Sequence, residues 1–203
     1  DSPAAGAMRL SLAATGVTAQ HCHDVLHAFR QDAIKLRYRD WDDLMEYCRY
    51  SAAPVGRMVL DIHGEDPVTW PANDALCAAL QVINHLQDCA KDYRDLDRVY
   101  VPLDVLGAQG LSVEALAEPQ ASPALRSVIA GLARRAAALL DQSRPFADRI
   151  ADRRLALEVG VIQALLKLSL FDRFLNFARG VIDTQDIVFF MLFVAFFLFL
   201  TLQ

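Results

Sequence analysis

Basic charge is scarce in this sequence. Twenty lysines and arginines stand against 25 aspartates and glutamates, giving a net charge of −5, so no basic surface suited to nucleic acid is expected. Cysteine is sparse too. Cys22, Cys48, Cys77 and Cys89 are scattered, with no C-x-x-C and no histidine at zinc-ligand spacing, which argues against a zinc module and for reduced thiols. Cys22 lies between His21 and His23, but three consecutive side chains on a helix point in three directions and do not gather on one ion. The opening DSPAAGAMRL lacks the charged-then-apolar layout of a signal peptide and reads as a frayed or cut end. Strand-like alternation and internal repeats are also missing. What remains is an all-α chain.

Helix signals punctuate most of its length. Thr18 can cap a helix running to about residue 36. DWDD at 40–43 is a capping-box variant opening a helix to about 62, which Pro54 is expected to kink and Gly64 to end. Pro71 and Asn73 start the next helix. RVYVPLD at 98–104 reads as extended or turn, because Pro102 biases Val101 away from helix. A short helix at 112–117, a longer one at 123–143 and another from about 153 to 177 complete the list. Asp148 and Asp152 are read as a solvated face.

The hydrophobic share, 54%, exceeds the usual globular value, and much of the excess lies at the end. Residues 187–202, IVFFMLFVAFFLFLTL, carry no charge. As a helix they would span about 24 Å, short of the roughly 30 Å hydrocarbon core of a bilayer. A segment apolar all round is no ordinary surface helix. A membrane anchor, a membrane-embedded fragment and a buried core helix stay open. The expected organisation is a helical domain over 1–177 and an apolar helix over 178–203, with the protein on the cytoplasmic face of a membrane.

The richest stretch is NHLQDCAKDYRD at 84–95. On an ideal helix Gln81, Asn84, His85, Asp88, Lys91, Asp92 and Asp95 fall within one arc of about 120°. Val82, Ile83, Leu86, Cys89, Ala90 and Tyr93 cover the other side. Asp and Asn are poorer helix formers than Glu or Lys, so their repetition here calls for a reason. Asp88 and Asp92, one turn apart, can converge on a divalent cation, and Mg²⁺ suits one or two carboxylates plus substrate phosphates. A plain acidic surface is the competing reading.

Three blocks give the stretch a context. YCRYSAAPVG at 47–56, QVINHLQDCAKD at 81–92 and RVYVP at 98–102, led in by KLRYRDWDDL at 35–44, resemble the squalene and phytoene synthase family of head-to-head prenyl synthases. The variant at 84–104 is most similar to its bacterial hopanoid-pathway branch, which converts presqualene diphosphate to hydroxysqualene. The resemblance implies an isoprenoid-synthase-like helical bundle acting on farnesyl or presqualene diphosphate with Mg²⁺. It implies Asp88 and Asp92 as metal ligands, Gln81, Asn84 and Lys91 as substrate-binding residues, and Tyr47, Arg98 and Tyr100 as catalytic residues. Ser51, Ala52, Ala53 and Gly56 would let a neighbouring helix approach closely. Residues 1–46 hold no D-x-x-x-D, so the family's first aspartate motif and N-terminal helices are expected to be missing. Residues 179–203 look instead like a membrane segment of an ABC-type permease. The alternative reading is a non-enzymatic, membrane-associated assembly protein of the same fold.

Overall fold

A computed structural model describes residues 2–166. Among them the chain forms nine α-helices and two 3₁₀ turns, with no strand beyond one isolated bridge. The helices are α1 (Pro3–Thr15), α2 (Gln20–Asp32), α3 (Trp41–Ser51), α4 (Ala53–Ile62), α5 (Trp70–Leu96), α6 (Leu103–Gly107), α7 (Pro123–Gln142), α8 (Phe146–Arg149) and α9 (Arg153–Leu165). The all-α class expected from the sequence holds.

Local chemistry sets most of the starts. The Asp40 carboxylate accepts from the Asp43 N–H at 2.9 Å, Ser122 Oγ from Leu125 N–H at 3.1 Å, and Asp152 Oδ1 from the N–H groups of Arg154 and Leu155. Each satisfies a donor that the first helical turn leaves open. Pro71 lies in the first turn of α5, where its missing N–H costs nothing.

α5 is the axis of the fold. Its Leu76, Ala79, Val82, Ile83 and Leu86 are buried at helical spacing, and its most extensive partner is α7. Around Val82, Ile83 and Leu86 gather Tyr38, Leu44, Tyr47, Val99, Val101, Leu132 and Ala136. A second cluster joins Leu60, Leu76 and Ala79 to Leu140, Phe146, Leu155 and Val159.

The segment after α2 is fastened to the segment after α5. Val99 N–H donates to the Leu36 carbonyl at 2.9 Å, Leu103 N–H to that of Tyr38 at 2.9 Å, and Asp104 N–H to that of Arg39 at 3.0 Å. Arg37 pairs with Asp97, which closes α5 in the left-handed region at φ 50°.

Several expectations need correction. The N-terminal stretch is helical as α1, started by Pro3 and closed by left-handed Gly16, although it buries no side chain. α2 ends at Asp32 rather than near 36, because residues 36–39 turn away to pair with 99–104. Pro54 does not kink one long helix. It sits in the first turn of α4, and the chain breaks at Ala52, since a proline cannot donate to the preceding turn and clashes with it. Asp148, in α8, is exposed as expected, but Asp152 is half-buried, caps α9 and pairs with His63 Nδ1 at 2.8 Å. The expected continuation to 177 and the apolar segment at 178–203 lie outside the described residues. No helix among the described residues is long and apolar enough to cross a membrane.

Glu65 ties α4 to α9. This buried carboxylate accepts from Ala151 N–H at 2.8 Å and Asp152 N–H at 2.7 Å. Glu65→Gln keeps the shape but turns an amide donor toward one of those N–H groups. It is expected to cost about 2 kcal/mol, read from the midpoint of urea unfolding.

Candidate functional site

The fastened segments bring four aromatic side chains and one ion pair together. Asp32, the last residue of α2, is the hub. Tyr47, from α3, donates its hydroxyl to Asp32 Oδ2 at 3.0 Å. Tyr100, from the segment after α5, donates to Asp32 Oδ1 at 3.1 Å. Arg98 Nη2 donates to the Asp32 backbone carbonyl at 2.7 Å, and Arg98 Nη1 lies 4.0 Å from Asp32 Oδ1. The two phenol oxygens are 3.4 Å apart. Tyr38 stacks on Tyr100 at 5.3 Å and meets Tyr47 edge-on at 5.4 Å.

The electrostatics follow from this packing. Burial pushes the Tyr47 phenol far up, reinforced by its neighbour Tyr100 and by Asp32. Tyr38 and Tyr100 are also raised, again chiefly by burial. All three are uncharged hydroxyls at neutral pH. Burial works against the Arg98 charge, but Tyr100 and Asp32 outweigh it and keep the guanidinium protonated.

α5 enters the site through His85. Its ring lies 3.5 Å from that of Tyr100, nearly parallel, and its Nε2 is 3.1 Å from Gln81 Nε2. Burial, then the Arg98 charge, lowers its pKa to about 3, so the imidazole is neutral. An unfolded histidine titrates near 6.5. Between about pH 6.5 and pH 3 the unfolded chain therefore binds more protons, and stability falls as pH drops through that window while remaining intact above it. His85→Gln is expected to remove about 2–3 kcal/mol of the loss between roughly pH 7 and pH 4.5. Urea titrations of both proteins at the two pH values check this.

One turn further along α5 come Asp88 and Asp92. Asp88 is exposed and Asp92 half-buried. The Asp92 carboxyl is held above its ordinary range, first by burial and then by the Asp88 charge, with Arg98 and Lys91 pulling it back. A divalent cation would relieve that repulsion. Among the described residues no group of three or more His, Cys, Asp or Glu gathers as a metal site. Two carboxylates one turn apart fit an ion that keeps waters and takes its other ligands from a phosphate, as Mg²⁺ does.

Of the residues singled out in the sequence, Tyr47, Arg98 and Tyr100 converge directly. Gln81 joins them through His85, and Asp92 through the field of Arg98. Asn84 and Lys91 are exposed on the same stripe, and Lys91 acts on Asp92 by charge. Sequence reasoning did not single out Asp32 or Tyr38, and it placed His85 on the polar arc without a role. The spacing of His85 from Gln81, one helical turn, was the available signal. For Asp32 there was none, because its partners are 15, 66 and 68 residues away.

Comparison with known proteins agrees with the geometry. Residues 1–170 match the family model for squalene/phytoene synthase. The chain is 57% identical over 162 residues to a hydroxysqualene synthase of Rhodopseudomonas palustris, covering 80% of this chain and 56% of that protein. It is 50% identical over 165 residues to the hydroxysqualene synthase of Zymomonas mobilis, with the same two coverages. The chain thus spans about half the length of these curated relatives. Among solved structures it superposes on squalene synthase HpnC of Alicyclobacillus acidocaldarius with a TM-score of 0.74 at 36% identity, covering 81% of this chain and 62% of that one. A dehydrosqualene synthase, at 24% identity and a TM-score of 0.71, shares the fold.

Proposed function

Because the chain belongs to the squalene/phytoene synthase family, we propose that it acts on a prenyl diphosphate in squalene or hopanoid synthesis, as a presqualene diphosphate to hydroxysqualene converter. The observation that carries this reading is the meeting of an aspartate pair, an arginine and a buried aromatic cluster along one face of α5. A diphosphate needs cations and donors; a carbocation needs electron-rich walls.

In this reading Asp88 and Asp92 hold Mg²⁺, which when bound supplies positive charge to the departing diphosphate. Arg98 and Lys91 add donors for the same phosphates, and Arg98 Nε, buried and without a partner among the described residues, is one such donor. Gln81 and Asn84 orient the polar end of the substrate. Tyr47 and Tyr100 are assigned to the carbon skeleton, where aromatic faces stabilise positive charge, with fully buried Tyr38 packed behind them. Neutral His85 adds no positive charge beside a carbocation. An alcohol product requires that one water reach the cation while bulk water is kept out.

The test is incubation of the chain with presqualene diphosphate and Mg²⁺, with extraction and mass analysis of the lipid product. Hydroxysqualene is expected. A folded chain that binds Mg²⁺ and diphosphate but releases no product would overturn the catalytic reading and favour a non-enzymatic member of the family. Residence at the cytoplasmic face of a membrane is part of the same proposal, and sedimentation with lipid vesicles tests it.

A further inference from the structure

Neither the Tyr47 nor the Tyr100 hydroxyl is free to choose its direction. The Tyr47 and Tyr100 oxygens each lie nearer to a separate oxygen of Asp32, at 3.0 and 3.1 Å, than to each other, at 3.4 Å. A carboxylate is also the stronger acceptor. Both hydrogens therefore go to Asp32. The two phenol oxygens are left 3.4 Å apart with lone pairs turned toward each other, and Arg98 Nη1 donates to the Tyr100 oxygen at 3.4 Å, so both phenols stand as acceptors. Arg98 braces the same aspartate from its backbone side at 2.7 Å.

Building on the reaction proposed above, we infer that Asp32 is a positioning residue: it takes the hydrogens of both phenols, so that Tyr47 and Tyr100 meet the developing carbocation as acceptors rather than as donors. Without Asp32 each hydroxyl could rotate and present its hydrogen, a partial positive charge, to a cation. Asp32 itself need not touch the substrate. Its side chain is 19% exposed, and it acts through the tyrosines.

Two readouts test this. The first is independent of turnover: the chain is isotope-labelled at tyrosine Cζ, and the Tyr47 and Tyr100 resonances are assigned with Tyr47→Phe and Tyr100→Phe. In Asp32→Asn both resonances move, because one phenol loses its acceptor and the other exchanges a charged acceptor for a neutral one, while the chain still unfolds in one cooperative transition. Should that variant not fold, Tyr47→Phe reads the same bonds: it frees Asp32 Oδ2, and the Tyr100 resonance moves. Resonances that stay in place would overturn the inference.

The second readout is kinetic. Asp32→Asn lowers kcat on presqualene diphosphate by about 10- to 100-fold, with KM unchanged within about twofold, since Asp88, Asp92 and Lys91 are untouched and Arg98 keeps its bond to the residue-32 backbone carbonyl. In a Tyr47→Phe/Tyr100→Phe background, Asp32→Asn has little further effect, because the groups it orients are gone. Full additivity, or a loss confined to KM, would overturn the positioning role. Absence of turnover in the parent chain counts against the proposed reaction, and the resonance measurement then decides on Asp32 alone.

Discussion

Mg²⁺ plus farnesyl diphosphate is expected to raise the melting temperature of the parent chain, and replacing Asp88 and Asp92 together by asparagine is expected to abolish that rise. The same change should lower kcat/KM on presqualene diphosphate by about 10³-fold or more, which corresponds to several kcal/mol of transition-state stabilisation. Asparagine keeps the shape and one oxygen of each side chain but none of the charge. The sign without metal is opposite. Asp88 raises the Asp92 carboxyl, so the two anions destabilise each other in the folded chain. The double variant should melt at or slightly above the parent in metal-free buffer. Loss of the ligand-dependent shift together with unchanged or higher intrinsic stability separates a metal site from a structural one. A persisting shift would place the diphosphate elsewhere.

The second large effect concerns the crossing of α4 and α5. Gly56 faces buried Asn73, and a Cβ built there would lie 2.0 Å from Asn73 Oδ1 and 2.7 Å from Cys77 Sγ. Asn73 cannot simply swing aside. Its amide donates to the Ala53 carbonyl at 3.4 Å and to Asp74 Oδ1 at 3.1 Å, and Asp74 in turn accepts from Arg57 Nε at 2.9 Å. Adding one methyl must push the helices apart. Gly56→Ala is expected to destabilise the chain by about 2–3 kcal/mol, measured by urea unfolding. Asn73→Ala introduced with it should recover part of the loss, since the clashing oxygen is removed. A Gly56→Ala chain as stable as the parent would show that the two helices have slack at this point.

The Gly56 case shows what a local pattern can convey. Small residues at 51–56 signal a close helix approach wherever the partner comes from, and the partner turned out to be α5. The polar arc of α5 was legible for a similar reason: a 3.6-residue period and a proline in the first turn fix both the helix and its faces. What failed to show were features decided by distant segments. Pro54 announced an interruption, but whether the chain kinks or breaks depends on how α3 and α4 pack around it. The end of α2 was misjudged because residues 33–36 carry no breaker; they leave the helix so that 36–39 can pair with 99–104. Asp32 stayed invisible on the same account. An aspartate at a helix end is unremarkable until tyrosines from two other segments arrive.

The fastening of 36–39 to 98–104 also sets an order of events. These partners stand more than about 60 residues apart in the chain, so the loop they close must be ordered before any of its hydrogen bonds repays the lost entropy. Such non-local contacts form late and slow the folding of the segments that carry them. On a ribosome, α2 and α3 can be made and begin to pack while Tyr100 is still unsynthesised. Asp32, Tyr38 and Tyr47 can meet early, but the cluster is completed only when the end of α5 docks and brings in Arg98 and Tyr100. Its amides should accordingly be among the last to exchange with solvent, opening with the whole domain rather than by local fraying.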